Sequence, residues 1–205
     1  LQVFSELNEN GVNLQDDGAV GDAMARRGVY TFRSQPPDIE RRLEEEHRKA
    51  PSNQGTRTFA RDLRRLFTLI GFIASDGLTF TAKTLIQEQT DPLDESARQI
   101  WSDALFHMAV EDANGNVSHP YRIMLRLVED IPGLPAFKLG LCLEAQDDSE
   151  TEYARIKQVA AIETQEQLWQ QIGVSPHTAR NAVKILPALA RQIGDILETD
   201  NGYYL

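Results

Sequence analysis

The stretch from Thr164 to Tyr204 restricts this chain most, because its caps, stops and apolar spacing agree on one local architecture. It reads as helix, tight turn, helix, then a two-stranded wing. Thr164 is placed to cap the first helix, and Gln167 three residues on completes a capping box. Gly173 suits the left-handed position after that helix ends. Ser175 then caps a second helix, with Pro176 at its first position, where no amide donor is needed. Leu168 and Ile172 mark the buried side of the first helix; Ala179, Val183, Leu186 and Ala190 mark that of the second. Pro187 is expected to kink or end this second helix. His177, Arg180, Asn181 and Lys184 fall on the opposite face, with Thr178 beside them. A capped helix offering such side chains just after a tight turn is what major-groove reading requires. The plainer reading is a helical hairpin with a solvated polar face.

The same order of elements is expected nearer the N-terminus. After the break at Pro51-Ser52-Asn53-Gln54-Gly55, an apolar stripe of Phe59, Leu63, Leu66, Phe67 and Ile70 predicts a helix from Thr56. Arg57, Arg61, Arg64 and Arg65 lie largely off that stripe. Gly71 to Ala74 reads as a strand, Ser75-Asp76-Gly77 as a hairpin tip and Leu78 to Thr81 as the return, leading into a helix over 82–89. At the C-terminus the counterpart is a strand over 193–197, a turn at Asp200-Asn201-Gly202 and a return at Tyr203-Tyr204. The repeat is one of architecture, since side-chain identity is low.

Elsewhere, short helices are expected over 1–7 and 19–27, a strand over Val29 to Phe32, and a charged helix from Asp38 to Lys49. The acidic run Glu44 to Glu46 reads as solvated. Asp94 caps a long helix expected to reach Val110, and Asp112 to Asn116 forms a turn. His119-Pro120 opens a helix to about Asp130, and Asp147 or Ser149 caps one to Ala161. The fold expected is mainly α, with tandem winged-helix subdomains (helix-turn-helix with short β wings). Residues 1–90 form the first, 91–150 a helical connector and 151–205 the second.

Charge bears on what such a fold can bind. The net charge of −10 weighs against simple nucleic-acid binding, where phosphate contacts dominate non-specific affinity. Distribution matters more than the total. Arg57 to Arg65 holds four arginines and one acid, whereas Glu144 to Glu152 holds five acids and no Lys or Arg. No apolar run approaches the roughly 18 residues of a membrane span, and no membrane partner is expected. The chain opens Leu-Gln-Val-Phe without an initiator Met or a signal pattern, so a fragment of a longer protein is expected. A single cysteine, Cys142, points to the cytoplasm.

An active site is not evident. The nuclease pattern of Pro-Asp followed by an acid, a spacer and a Lys is missing; Glu144-Ala145-Gln146 has the spacing but Gln in place of Lys. His47, His107, His119 and His177 have no mutual spacing suited to zinc, and no phosphate-binding glycine loop occurs. No catalytic residue, metal ligand or cofactor is therefore assigned.

The segment Ala60-Arg-Asp-Leu-Arg-Arg-Leu-Phe-Thr-Leu-Ile-Gly-Phe-Ile73 is followed by the helix His119-Pro-Tyr-Arg-Ile-Met-Leu-Arg-Leu-Val128, the acidic 144–152 segment and a closing wing-bearing unit. This order resembles the target-recognition half of some type II restriction endonucleases, of the AlwI, FokI and BpuJI kind. The resemblance spans about residues 20–205, and its motifs are generic to winged helices. It implies an asymmetric double-stranded DNA site read by this chain, with cutting and its Mg2+ left to a separate nuclease domain. The same residues fit a winged-helix transcription regulator, or an acidic winged-helix scaffold that binds proteins. On the DNA reading the contacts are Thr56, Arg57, Arg61, Arg64 and Arg65 in the first unit. In the second they are Ser175, His177, Thr178, Arg180, Asn181 and Lys184, with Asn201 and Tyr203 in the wing.

Overall fold

The computed structural model describes residues 1–32, 38–88, 94–162, 164–172 and 176–205; side chains are not described at 88, 136, 165, 169, 171, 172 and 176–184. Among the described residues the chain is mainly helical, with eleven α-helices and three two-stranded antiparallel sheets. It divides into two compact units, Leu1–Gln89 and Thr90–Leu205.

Unit 1 contains α1 (Gln2–Glu9), α2 (Asp17–Arg26), α3 (Ile39–His47), α4 (Gly55–Leu69), the hairpin β1 (Ile73–Ala74) and β2 (Gly77–Leu78), and α5 (Phe80–Glu88). Its helix starts follow from short acceptors. The Asp16 carboxylate takes the amides of Gly18 and Ala19, and that of Asp38 takes those of Glu40 and Arg41. The core is aromatic: Phe4 meets Phe67 edge-on at 5.4 Å, and Phe67 meets Phe72 at 6.3 Å. Helices α2 and α4 cross closely because Gly21 has no side chain. A Cβ there would lie 2.6 Å from the Thr56 carbonyl oxygen.

Two expectations in this unit are corrected. Val29 to Phe32 is no strand: the amides of Val29 and Tyr30 both bond the Met24 carbonyl, which folds the segment back on the end of α2. Phe32 is thereby buried with Ala25 and Leu43. Glu46, read as solvated, is buried at 3% exposure. Its carboxylate accepts from the Gly55 amide at 2.9 Å and pairs with Lys49, so it caps α4 from another helix. The hairpin after α4 occurs as expected but is shorter, with Ile73 opposite Leu78 and Ala74 opposite Gly77. Thr79 introduces α5, its hydroxyl accepting from the Ala82 amide.

Unit 2 contains α6 (Glu95–Phe106), β3 (Val110–Glu111), β4 (Val117–Ser118), α7 (Pro120–Asp130), α8 (Ala136–Leu139), a 3-10 turn (Gly140–Glu144), α9 (Glu150–Ala160), α10 (Gln165–Ile172), α11 (Pro176–Ile193), β5 (Leu197–Thr199) and β6 (Gly202–Tyr204). Helix α7 supplies the centre of the core through Tyr121, Met124, Leu127 and Val128. Asp94 caps α6 through the Ala97 amide, and Ser149 caps α9 through the Glu152 amide. The Thr164 hydroxyl accepts from the Gln167 amide at 3.2 Å, as the sequence predicts.

Here too the structure differs from expectation. Helix α6 stops at Phe106, and Val110 belongs to a hairpin with Val110 opposite Ser118. The Asp112 carboxylate holds its loop by accepting from the amides of Asn114 and Asn116. Pro187 lies inside α11, which continues to Ile193, so of the two effects expected of this proline an end to the helix does not occur. The helix closes at Gly194, φ +87°, where the Asp195 amide reaches back to the Ala190 carbonyl. The strand expected over 193–197 therefore begins only at Leu197. Gly173 and Ser175, the expected stop and cap between α10 and α11, lie outside the described residues.

Candidate nucleic-acid interface

Helix α4 presents the arginines of unit 1 in two sets. Arg57, Arg61 and Arg65 recur every four residues and so form one stripe. Arg65 is exposed, and neither it nor Arg57 makes an ion pair among the described residues; Arg61 pairs with the adjacent Asp62 at 3.2 Å. Arg64 belongs to the other set. Its Nε donates to Asp17 at 2.8 Å and an Nη to Gln15 at 2.8 Å, and little of either side chain of the Arg64–Asp17 pair is exposed. This pair fixes the start of α2 against α4, so Arg64 is engaged in the fold and is corrected from the list of DNA contacts. Thr56 is corrected as well: it is 1% exposed, at the crossing with Gly21.

In the wing of unit 2, strand β6 is bonded on both of its edges. Strand β6 pairs with β5, and its other edge bonds the turn after α7. The Gly133 amide donates to the Tyr203 carbonyl at 3.0 Å, and the Tyr203 amide to the Leu134 carbonyl at 3.1 Å. Gly202, φ +111°, and Gly133, φ +80°, face each other; a Cβ on Gly202 would overlap the Gly133 carbonyl, and one on Gly133 would lie 2.9 Å from the Asn201 carbonyl oxygen. Tyr203 is buried, and its hydroxyl donates to Glu198 at 2.7 Å. Burial, then Glu198, pushes the phenol up to about 12. The hydroxyl of Tyr203 and then Arg191 hold the Glu198 carboxyl below the usual range. Tyr203 is thus a packing residue, which corrects its assignment to DNA backbone contact. Asn201 stays exposed at the tip.

Helix α11 carries the positions of His177, Thr178, Arg180, Asn181 and Lys184, whose side chains lie outside the described set; Leu186 and Ala190 are buried, as its apolar spacing predicts.

A cleft of about 160 Å³ opens in unit 2 between α7, the Asp147-Asp148 loop and α9. Arg126 lies 3.7 Å over the Tyr153 ring and makes a two-bond pair with Glu150. Arg122 lies 4.7 Å over Phe106 and donates Nε to its carbonyl. Asp148 accepts from the His119 amide and ring. Acids and bases are mixed here, so the cleft offers no net attraction to a polyanion. Glu144, the carboxylate weighed as a metal ligand, has its pKa raised by burial. Among the described residues no three His, Cys, Asp or Glu side chains are grouped to hold a metal, and no helix is long and apolar enough to cross a membrane.

The charge divides unevenly between the units. Unit 1 holds twelve Lys and Arg against thirteen Asp and Glu, a net −1; unit 2 holds nine against eighteen, a net −9. Comparison with protein-family models, with curated proteins and with solved structures gives no match.

Proposed function

We propose that this chain recognises double-stranded DNA through winged-helix-like units, as the target-recognition part of a type II restriction endonuclease whose nuclease domain lies elsewhere in the parent protein. The observation that carries the reading is the α4 stripe of Arg57, Arg61 and Arg65, on a nearly neutral unit and directly before a short hairpin. Guanidinium groups at this spacing can follow a phosphate backbone. In unit 2, Ser175, His177, Thr178, Arg180, Asn181 and Lys184 are assigned to reading base edges, and Asn201 to the backbone. Selection of bound duplexes from a random pool tests the proposal. An asymmetric selected sequence is expected. A palindromic one would favour a dimeric transcription regulator, and no enrichment at low salt would overturn DNA recognition.

A second reading is favoured by the net −9 of unit 2. An acidic unit repels phosphates and attracts basic proteins. On this reading the chain is a protein-interaction scaffold, and its unit 2 would bind a basic partner while showing no duplex binding.

A further inference from the structure

Phe80 opens α5 and is 84% exposed, although the same helix buries Ala82 and Leu85 completely. The side chain thus forgoes burial that its helix offers two and five residues later. Its place is fixed: the Thr79 amide donates to the Phe72 carbonyl at 3.1 Å, and the Thr79 hydroxyl donates to the Gly71 carbonyl at 2.9 Å. Those bonds set the start of α5 beside the C-terminal end of α4. There Leu69, 48% exposed, extends the Arg57, Arg61, Arg65 stripe by one more step of four residues.

The face of α5 that carries Phe80 also carries Lys83 and Gln87, both exposed, at helical spacing. Lys83 makes no ion pair among the described residues. The nearby hairpin tip bears one acid, Asp76. An aromatic ring with a cation one turn away, next to an arginine stripe, matches the chemistry of a nucleic acid: phosphates for the cations and base faces for the ring.

We infer that Phe80 is a base-contacting wedge of unit 1, inserted at a base step of the duplex whose phosphates Arg57, Arg61, Arg65 and Lys83 hold. The inference rests on the DNA reading proposed above. Leu69 lies beside the sugar edge, and insertion unstacks one step and bends the duplex.

The test uses the full chain and a mixed-sequence duplex carrying 2-aminopurine at successive positions, in low salt. Binding is read by anisotropy of an end label and unstacking by 2-aminopurine fluorescence. The wild-type chain is expected to bind and to raise the fluorescence. Phe80→Ala is expected to lose the rise and about tenfold in affinity, with thermal unfolding unchanged because the ring is 84% exposed. Phe80→Trp is expected to restore both. Failure of the two ideas is distinguishable. Duplex binding with no fluorescence change, and equal affinity for Phe80→Ala, would overturn the wedge and leave DNA recognition standing. No anisotropy change at any salt would overturn both. Phe80-dependent binding to an acidic protein, with none to the duplex, would assign the patch to a protein partner instead.

Discussion

The two units satisfy the hydrogen bonding of their carboxylates by different means. Unit 1 has about one base per acid and uses ion pairs between helices: Arg26 with Glu40, Arg27 with Glu6, Arg64 with Asp17. Unit 2 has half as many bases as acids. It supplements pairs such as Lys157–Asp130 with tyrosine hydroxyls. Tyr121 donates to Asp195 at 2.6 Å, Tyr153 to Asp130 at 2.8 Å and Tyr203 to Glu198 at 2.7 Å. Asp195 also accepts from Ser102, so one carboxylate joins α6, α7 and the end of α11. A hydroxyl satisfies a carboxylate without cancelling its charge. Unit 2 can therefore be well bonded and strongly acidic at once, whereas unit 1 keeps arginines on its surface at almost no net charge. Cationic ligands and polyanions should sort between the units accordingly.

If the two units are separately stable bodies, the largest effects should each fall on one unit alone. Gly202→Ala places a Cβ against the Gly133 carbonyl at a positive φ. It should destabilise unit 2 by on the order of 4 kcal/mol. Gly21→Ala places one 2.6 Å from the Thr56 carbonyl and should cost unit 1 a similar amount, on the order of 3 kcal/mol. Both tryptophans, Trp101 and Trp169, lie in unit 2, so tryptophan fluorescence follows that unit while circular dichroism follows both. Gly202→Ala should move the fluorescence transition, and Gly21→Ala only the dichroism. If Gly21→Ala shifts the fluorescence transition as well, the chain unfolds as one body.

Arg64 and Arg65 sharpen the contrast within a single turn. Removing Arg64 leaves Asp17 without its partner in a mostly covered site. Arg64→Ala should therefore cost unit 1 about 2 kcal/mol. Arg65→Ala should alter stability by less than about 0.5 kcal/mol. Equal effects of the two in denaturant titrations would remove the distinction between a structural and a free arginine.

That distinction marks where the sequence stops being legible. Caps within a few residues of their targets, at Asp94, Ser149 and Thr164, follow from local chemistry and are readable. So are the helix positions of α4, α7 and α9, set by apolar spacing. What escapes is long-range. Arg64 finds Asp17 forty-seven positions away, and Glu46 caps a helix it does not belong to. A helical wheel places Arg64 off the stripe but cannot say which neighbour covers it. Val29 to Phe32 has the side chains of a strand, yet no partner strand reaches it among the described residues, and its apolar rings pack on α3 instead. Tyr203 reads as a wing-tip residue because nothing local reveals that Gly133 and Gly202 let the wing lie flat on its own unit.

Alkaline pH should separate the units next. Burial and an adjacent carboxylate raise all three bonded phenols of unit 2, Tyr203 to about 12 and Tyr121 and Tyr153 further. A phenol in an unfolded chain titrates near 10. A folded value above the unfolded one means that the unfolded state loses its proton first as pH rises. The contribution is complete below about pH 10 and declines as pH climbs through the folded values. The tryptophan transition of unit 2 should fall over that window. Tyr203→Phe should cost about 1 kcal/mol at neutral pH and make the alkaline decline shallower. A decline of the same depth in Tyr203→Phe would mean that this phenol carries none of it.

The smallest effect bears most on function. If unit 1 holds the backbone, Arg65→Ala should weaken binding to every duplex alike and flatten the plot of log affinity against log salt by about 0.9. Its stability should be unchanged, so the loss cannot come from unfolding. Arg122 is the control in unit 2: it too carries no carboxylate partner among the described residues, but it lines a cleft with Asp147 and Asp148. Arg122→Ala should leave the salt slope where it was. A flatter slope for Arg122→Ala and none for Arg65→Ala would move the phosphate contacts to the acidic unit. The charge asymmetry between the units would then no longer predict where a polyanion binds.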